Sequence, residues 1–208
     1  MAWIVNIKHC LTEDGLPGPG VSGKHAVYYS RMVAAATSHG ENDAFVSAID
    51  CSRRPGRKPC DGKIALYLHE DGVIEWQCDR CAYNGFLSGW QGTMWDLSKA
   101  KRIGAYEDSL VLGLSEEDYC ILRGIDTSSI ESRAAIAGAL ATLDEILVVG
   151  DDETIGILAG DVLVAANCER NRKKKVVLNA ICDALESLLD TNKPLADTPT
   201  RELPIYYN

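Results

Sequence analysis

Cys51-Ser-Arg-Arg-Pro-Gly-Arg-Lys-Pro-Cys60 and Cys78-Asp-Arg-Cys81 bracket the segment Lys63–Gln77, giving the spacing C-x8-C-x17-C-x2-C. The short C-x2-C step lets two sulfurs and the neighbouring amides turn toward one ion, and four soft thiolates are the donor set that tetrahedral zinc prefers. Between the pairs, apolar and polar residues partly alternate and Asp71-Gly72 marks a turn, which predicts a β-hairpin clamped at its ends. The reading is a zinc ribbon with Cys51, Cys60, Cys78 and Cys81 as ligands of a structural Zn2+. A closed four-sulfur site stabilises a fold and leaves no open position for a reaction. His69 lies inside the hairpin and reads as a surface residue rather than a ligand. The first pair encloses a long excursion, so Pro55-Gly56 must turn the chain back on itself.

Outward from the hairpin, Trp3 to Lys8 reads as a strand, Gly15 to Gly20 as loop, and Lys24 to Ser38 as a helix with Ser22 as its cap and Gly40 as its stop. Ala44 to Ile49 predicts a second strand running straight into Cys51. After Cys81, the glycine- and aromatic-rich stretch Asn84 to Asp96 reads as a covering loop or short strand. Trp90 and Trp95 within it are expected to pack on the hairpin beside Trp76, with an exposed aromatic platform for a partner or an unstacked base as the alternative.

A junction falls around Ser98–Asp108. Beyond it Ser115-Glu-Glu-Asp118 resembles a capping box for a short helix through Arg123, stopped by Gly124, and a second start signal stands at Thr127–Ser129. Ala134 to Thr142 is small and apolar, and Glu145 to Val149 reads as a strand. Asp151, Asp152 and Glu153 suit the positive end of the next helix better than they suit a metal. Ile155 to Ala166 is apolar on nearly every side, as in a core helix or a homo-oligomer interface. Val177, Ile181, Ala184, Leu185 and Leu188 form one stripe on a last helix. With no glycine or proline between Cys168 and Leu189, a single helix from Asp152 to Leu189 is also consistent with the sequence. Residues 191–208 contain Pro194, Pro199 and Pro204 and read as an extended tail whose apolar tip, Leu203 to Tyr207, could dock.

The net charge of −9 is unevenly spread: residues 1–102 sum to +1 and residues 103–208 to −10. Attraction to DNA or RNA is therefore no property of the whole chain and has to come from a local basic patch. Two such patches exist. Arg53, Arg54, Arg57 and Lys58 lie on the excursion between two metal ligands, where a rigid loop can meet phosphates at low entropic cost. Arg172, Lys173, Lys174 and Lys175 lie near the start, or in the middle, of helical sequence. A solvated charged face is the ordinary reading of each patch, and contact with phosphate or nucleic acid the functional one.

Length and a 46% hydrophobic content allow one large domain or two small ones. No run approaches a membrane span, and the first residues lack a signal-peptide pattern, so the expectation is a cytoplasmic protein without membrane contact. Four of the eight cysteines sit at metal-ligand positions, and Cys10, Cys120, Cys168 and Cys182 show no pairing pattern, which favours a reducing compartment. The sequence has no phosphate-binding G-x-x-x-x-G-K-[ST], no H-E-x-x-H, no G-x-S-x-G and no G-x-G-x-x-G directly after a strand, so no catalytic residue is assigned.

The stretches Arg53 to Gly62, Ile74-Glu-Trp-Gln-Cys78-Asp-Arg-Cys81 and Asn84 to Trp95 resemble a group of small uncharacterised bacterial zinc-ribbon proteins. Some of these carry the segment beside a domain known from plasmid and transposon open reading frames. The resemblance covers about residues 51–97 and implies zinc; it carries no activity. The chain departs from the usual C-P-x-C-G knuckle, with Asp79 for proline and Ala82 for glycine. Together these readings give an α+β protein: residues 1–101 an α/β domain carrying the zinc ribbon at 51–97, residues 102–190 an acidic, mainly helical domain, and then the tail. The expected role is a zinc-binding, non-catalytic regulatory or adaptor protein that contacts nucleic acid or a protein partner; the alternatives are a structural protein–protein interaction module and an enzyme with an unrecognised site.

Overall fold

The computed structural model describes residues 2–100 and 109–191. The expected tail and most of the junction lie outside these residues. Among the described residues the fold is a mixed α/β arrangement built on one eight-stranded sheet, in the order β1-β5-β4-β3-β2-β7-β8-β6. Its strands are β1 (Trp3–Asn6), β2 (Ala44–Asp50), β3 (Lys63–Leu68), β4 (Ile74–Cys78), β5 (Asn84–Ser88), β6 (Leu110–Leu114), β7 (Leu140–Ala141) and β8 (Ile146–Gly150). The helices are α1 (Gly20–His39), α2 (Glu116–Leu122), α3 (Ile130–Ala137), α4 (Asp152–Cys168) and α5 (Arg172–Thr191). Strands β1 and β5 pair in parallel, and every other pair is antiparallel.

The expected hairpin is β3–β4, turning at Asp71-Gly72, where the Asp71 carboxylate accepts from the Val73 amide. Alternation puts Ile64, Leu66, Leu68, Ile74, Trp76 and Leu87 on one buried face, which packs on Tyr29, Met32, Val33 and Ala36 of α1. Gly85 of β5 is required by closeness: a Cβ there would lie 2.3 Å from the Trp3 carbonyl oxygen and 2.5 Å from the Trp76 ring. The Asn84–Asp96 segment is therefore a true sheet strand followed by a loop, wedged between β4 and β1.

Strand β2 joins the two halves of the sheet. Its register with β3 shifts between Val46 and Asp50, and in that interval Ser47 pairs with Leu140 of β7. The Ser47 hydroxyl donates to the Ile64 carbonyl at 2.7 Å, and its oxygen accepts from the Ile49 amide at 3.3 Å, replacing ladder bonds lost at the bulge. A second core lies beyond β2, where Leu112, Leu122, Val148, Ile155, Leu158 and Leu185 are buried among β6, β8 and the helices.

Several sequence expectations need correction. Strand β1 ends at Asn6 rather than Lys8, because the Asn6 side chain accepts the Lys8 amide and starts a 3-10 turn over Ile7–Cys10. Helix α1 begins at Gly20 after Pro19, ahead of the expected cap at Ser22. Leu110–Leu114, to which the sequence reading assigns no element, forms β6, so the second half is helical but carries three strands rather than one. Of the two readings left open for Asp152 to Leu189, two helices is the one found: the backbone of Glu169 is extended, and the Asn171 side chain caps α5 by accepting from the Lys173 and Lys174 amides. The Cys182 thiol faces the Ala159 carbonyl, so α4 and α5 form an antiparallel hairpin. One face of α4 fills this core through Ile155, Leu158 and Val162, while Leu163 and Val164 are exposed.

Candidate metal centre

The four cysteines are carried by ends of strands that the sheet brings together. Cys51 follows β2, Cys60 precedes β3, Cys78 ends β4, and Cys81 lies in the turn to β5. Backbone bonds fix each approach: the Cys51 amide donates to the Gly62 carbonyl at 2.8 Å, the Cys60 amide to Arg53 at 2.9 Å, and the Cys78 amide to Tyr83 at 2.8 Å. The ligand atoms lie within 4.8 Å of one another, with Sγ–Sγ separations of 3.7 Å for Cys51–Cys81 and 3.8 Å for Cys60–Cys78. Sulfurs ~2.3 Å from a tetrahedral ion are about 3.8 Å apart. Two opposite edges thus already have the length a metal requires, and the cluster can hold a metal ion. All eight cysteines are free thiols, so no disulfide competes for these sulfurs.

Burial pushes the Cys51 and Cys78 thiols up, against amide hydrogen bonds from Arg53 to the first and from Arg80 and Cys81 to the second. At Cys81 desolvation also acts upward but is outweighed by the Tyr83 amide and the neighbouring thiols, which bring it down. A bound cation changes this balance, because a coordinated thiol gives up its proton. The Arg80 amide donates to Cys78 Sγ at 3.4 Å, the expected aim of amide at sulfur.

Two residues that the spacing rule overlooks complete the centre. A Cβ at Gly62 would stand 2.5 Å from Cys78 Sγ and 2.7 Å from Asp79 Oδ1, so only glycine lets the first knuckle approach the second. Asp79, where the common C-P-x-C-G pattern has proline, locks onto Lys63: the Lys63 amide donates to Asp79 Oδ1 at 2.8 Å, and the Asp79 amide donates to the Lys63 carbonyl at 3.1 Å. Lys63 in turn ion-pairs with Asp50 at 2.6 Å and with Glu116 of α2, tying the hairpin to the second half. The signal for Gly62 was in the sequence, as the glycine two residues after Cys60. His69 contacts Glu75 at 3.1 Å and stands outside the sulfur cluster.

The basic excursion is exposed at every residue from Ser52 to Pro59. It folds through one 3-10 turn at Pro55–Arg57, with Gly56 and Arg57 both at positive φ; the value of 69° at Arg57 is strained for a residue with a side chain. Among the described residues none of Arg53, Arg54, Arg57 and Lys58 has a carboxylate ion pair. The Arg53 guanidinium lies 5.8 Å from the centroid of the Tyr83 ring. Beside it opens a groove of about 680 Å³ lined by His9, Lys24, His25, Arg53, Tyr28 and Trp3, among other residues, and by no carboxylate. The Tyr28 hydroxyl donates to the Asp50 carbonyl and accepts from the Ser52 amide, pinning the loop to α1.

The second basic patch is elsewhere. Arg172, Lys173, Lys174 and Lys175 occupy the first turn of α5, where the helix dipole is positive and no acid stands. Lys173 and Lys174 line a separate groove with Glu117, Cys120 and Cys168. Trp90 is 5% exposed, and its Nε1–H donates to the Gly72 carbonyl at 2.7 Å, so it packs under the hairpin and offers no platform. Trp95 is half-buried between the two cores.

No family model, curated protein or solved structure matches the chain. Among the described residues no helix is long and apolar enough to cross a membrane.

Proposed function

We propose that this chain is a non-catalytic zinc adaptor in which a structural Zn2+, held by Cys51, Cys60, Cys78 and Cys81, fixes a basic loop for contact with nucleic acid, and that residues 51–97 are a zinc ribbon. One observation carries the reading: four cations, without a carboxylate ion pair among the described residues, sit on a connection whose two ends are both cysteines of the sulfur cluster. A loop so tethered loses little entropy on meeting phosphates. Zinc is favoured over other metals by the all-thiolate donor set and by sulfur edges of tetrahedral length. The adjoining groove, basic and aromatic in a chain of net charge −9, extends the same surface with rings on which a base can stack. The free thiols support residence in a reducing compartment.

The test is elemental analysis of the purified chain joined to titration of a labelled single-stranded oligonucleotide across ionic strength. The expected result is a single zinc per chain and salt-dependent binding that disappears when Arg53, Arg54, Arg57 and Lys58 are replaced by serine. Absence of binding at low salt favours the second reading, a protein partner. That reading draws on β1, an edge strand on which Trp3 is 49% and Ile4 87% exposed, a surface suited to strand addition.

A further inference from the structure

A cavity of about 460 Å³ lies between α1, β2 and the α2–α3 region, away from the sulfur cluster. Its size falls in the range of small-molecule sites. The walls are apolar: Val27 and Ala34 from α1, Ala48 and Ile49 from β2, the ring of Trp95, and Ile136 from α3. Three arginines share this lining, Arg31 on α1 and Arg133 on α3, both exposed, and the half-buried Arg123 at the end of α2, with Asp126 the sole carboxylate of the lining.

The state of those arginines is the informative feature. Among the described residues none of the three makes a carboxylate ion pair or a side-chain hydrogen bond, although the second half of the chain carries a net charge of −10. Arg31 and Arg123 line the same cavity as Tyr119, and the charges of both reach its phenol. The Tyr119 hydroxyl itself is committed to the Ile136 carbonyl at 2.8 Å, so the cationic capacity at the cavity is that of the arginines, with Asp126 and Thr127 as the other polar side chains left at its rim. Unpaired guanidiniums beside an apolar pocket match an anionic head on an apolar body, because guanidinium binds carboxylate or phosphate in bidentate fashion while the walls exclude water from the body.

We infer that the cavity between α1, β2 and α3 is a binding site for a small organic anion with an apolar body, its head held by Arg31 and Arg123, with Arg133 beside them, and its body against Val27, Ile49 and Trp95. The site is separate from the metal centre and from the basic loop, and it stands whether or not the chain binds nucleic acid. Its floor, Ala48-Ile49, lies two residues before the ligand Cys51, so occupancy is positioned to be felt at the metal end of β2.

The test is calorimetric titration of the full, zinc-loaded chain with decanoate, and with decanol as the uncharged body of the same length. Saturable binding of decanoate is expected, at least tenfold tighter than decanol. A chain carrying both Arg31→Gln and Arg123→Gln is expected to lose tenfold or more in decanoate affinity at unchanged zinc content. Val27→Trp, a change at a partly exposed helix position that fills the cavity, is expected to abolish binding. In the unaltered chain the Trp95 indole N–H resonance, assigned with Trp95→Phe, is expected to shift with decanoate, which keeps the test independent of how the variants fold. No saturable binding at millimolar decanoate, equal affinity for decanol, or undiminished binding in Val27→Trp would each overturn the assignment.

Discussion

The Asp79 amide donates to the Lys63 carbonyl, a bond that proline at this position could not make. The Asp79 carboxylate answers by accepting the Lys63 amide, so the C-x2-C turn is fastened to the strand after Cys60 by the residue that departs from the usual knuckle. Replacing Asp79 by proline should therefore weaken the centre despite restoring the common pattern. The loss of two hydrogen bonds, about 1 kcal/mol each, predicts roughly a tenfold or greater drop in zinc affinity in competition with a chromophoric chelator. Gly62→Ala should do at least as much harm, since its methyl group meets Cys78 Sγ.

Removing the metal should loosen the hairpin before the rest. Apparent coordination energies of ~10–16 kcal/mol are typical of structural zinc in small domains. Here β3 and β4 also pack on α1, so partial rather than complete unfolding is expected on chelation. Amide hydrogen exchange should show lost protection from Cys51 to Cys81, with retained protection in α4 and α5; Cys78→Ser should reproduce the pattern.

Ser47 is fully buried and serves the Ile64 carbonyl and the Ile49 amide at the bulge. Ser47→Ala leaves both groups without that partner and should destabilise by about 1–3 kcal/mol, read as a lower urea midpoint at unchanged slope.

Burial pushes the Tyr119 phenol up to about 12, against the opposing charges of Arg123 and Arg31. An unfolded tyrosine ionises near 10. Between those values the unfolded chain has lost a proton that the folded chain retains, so the contribution is complete below about pH 10 and fades as pH rises toward 12. Tyr119→Phe should flatten the alkaline stability curve by at most roughly 3 kcal/mol over that window. At neutral pH it should cost about 1 kcal/mol through the bond to Ile136.

Lys173 and Lys174 stand in the first turn of α5, which itself holds no acid. Changing either to glutamate should raise thermal stability, by about 0.3–1 kcal/mol each. A simultaneous fall in oligonucleotide affinity would assign this patch to the binding surface, and an unchanged affinity would leave the Arg53–Lys58 loop as the sole contact.

What the sequence by itself determined was local. Cysteine spacing, the alternation around Asp71-Gly72, the cap at Ser115, the start signal at Thr127–Ser129 and the stop at Gly40 each depend on residues a few positions apart, and each is found in the fold. The break at Asn171 escaped the sequence reading, because without glycine or proline nothing local forces it; α5 packs back onto α4 across it. Leu110–Leu114 shows too short a period to choose a state until β8 supplies its partner. Only the tertiary structure decided that β2 leaves β3 for β7 at Ser47, that Trp90 is enclosed while Trp95 lines a cavity, and that Arg31, Arg123 and Arg133 gather at one pocket. Those outcomes come from contacts between residues far apart in the chain, where the free energy lies in shared burial and in pairing a bond that no neighbour can satisfy.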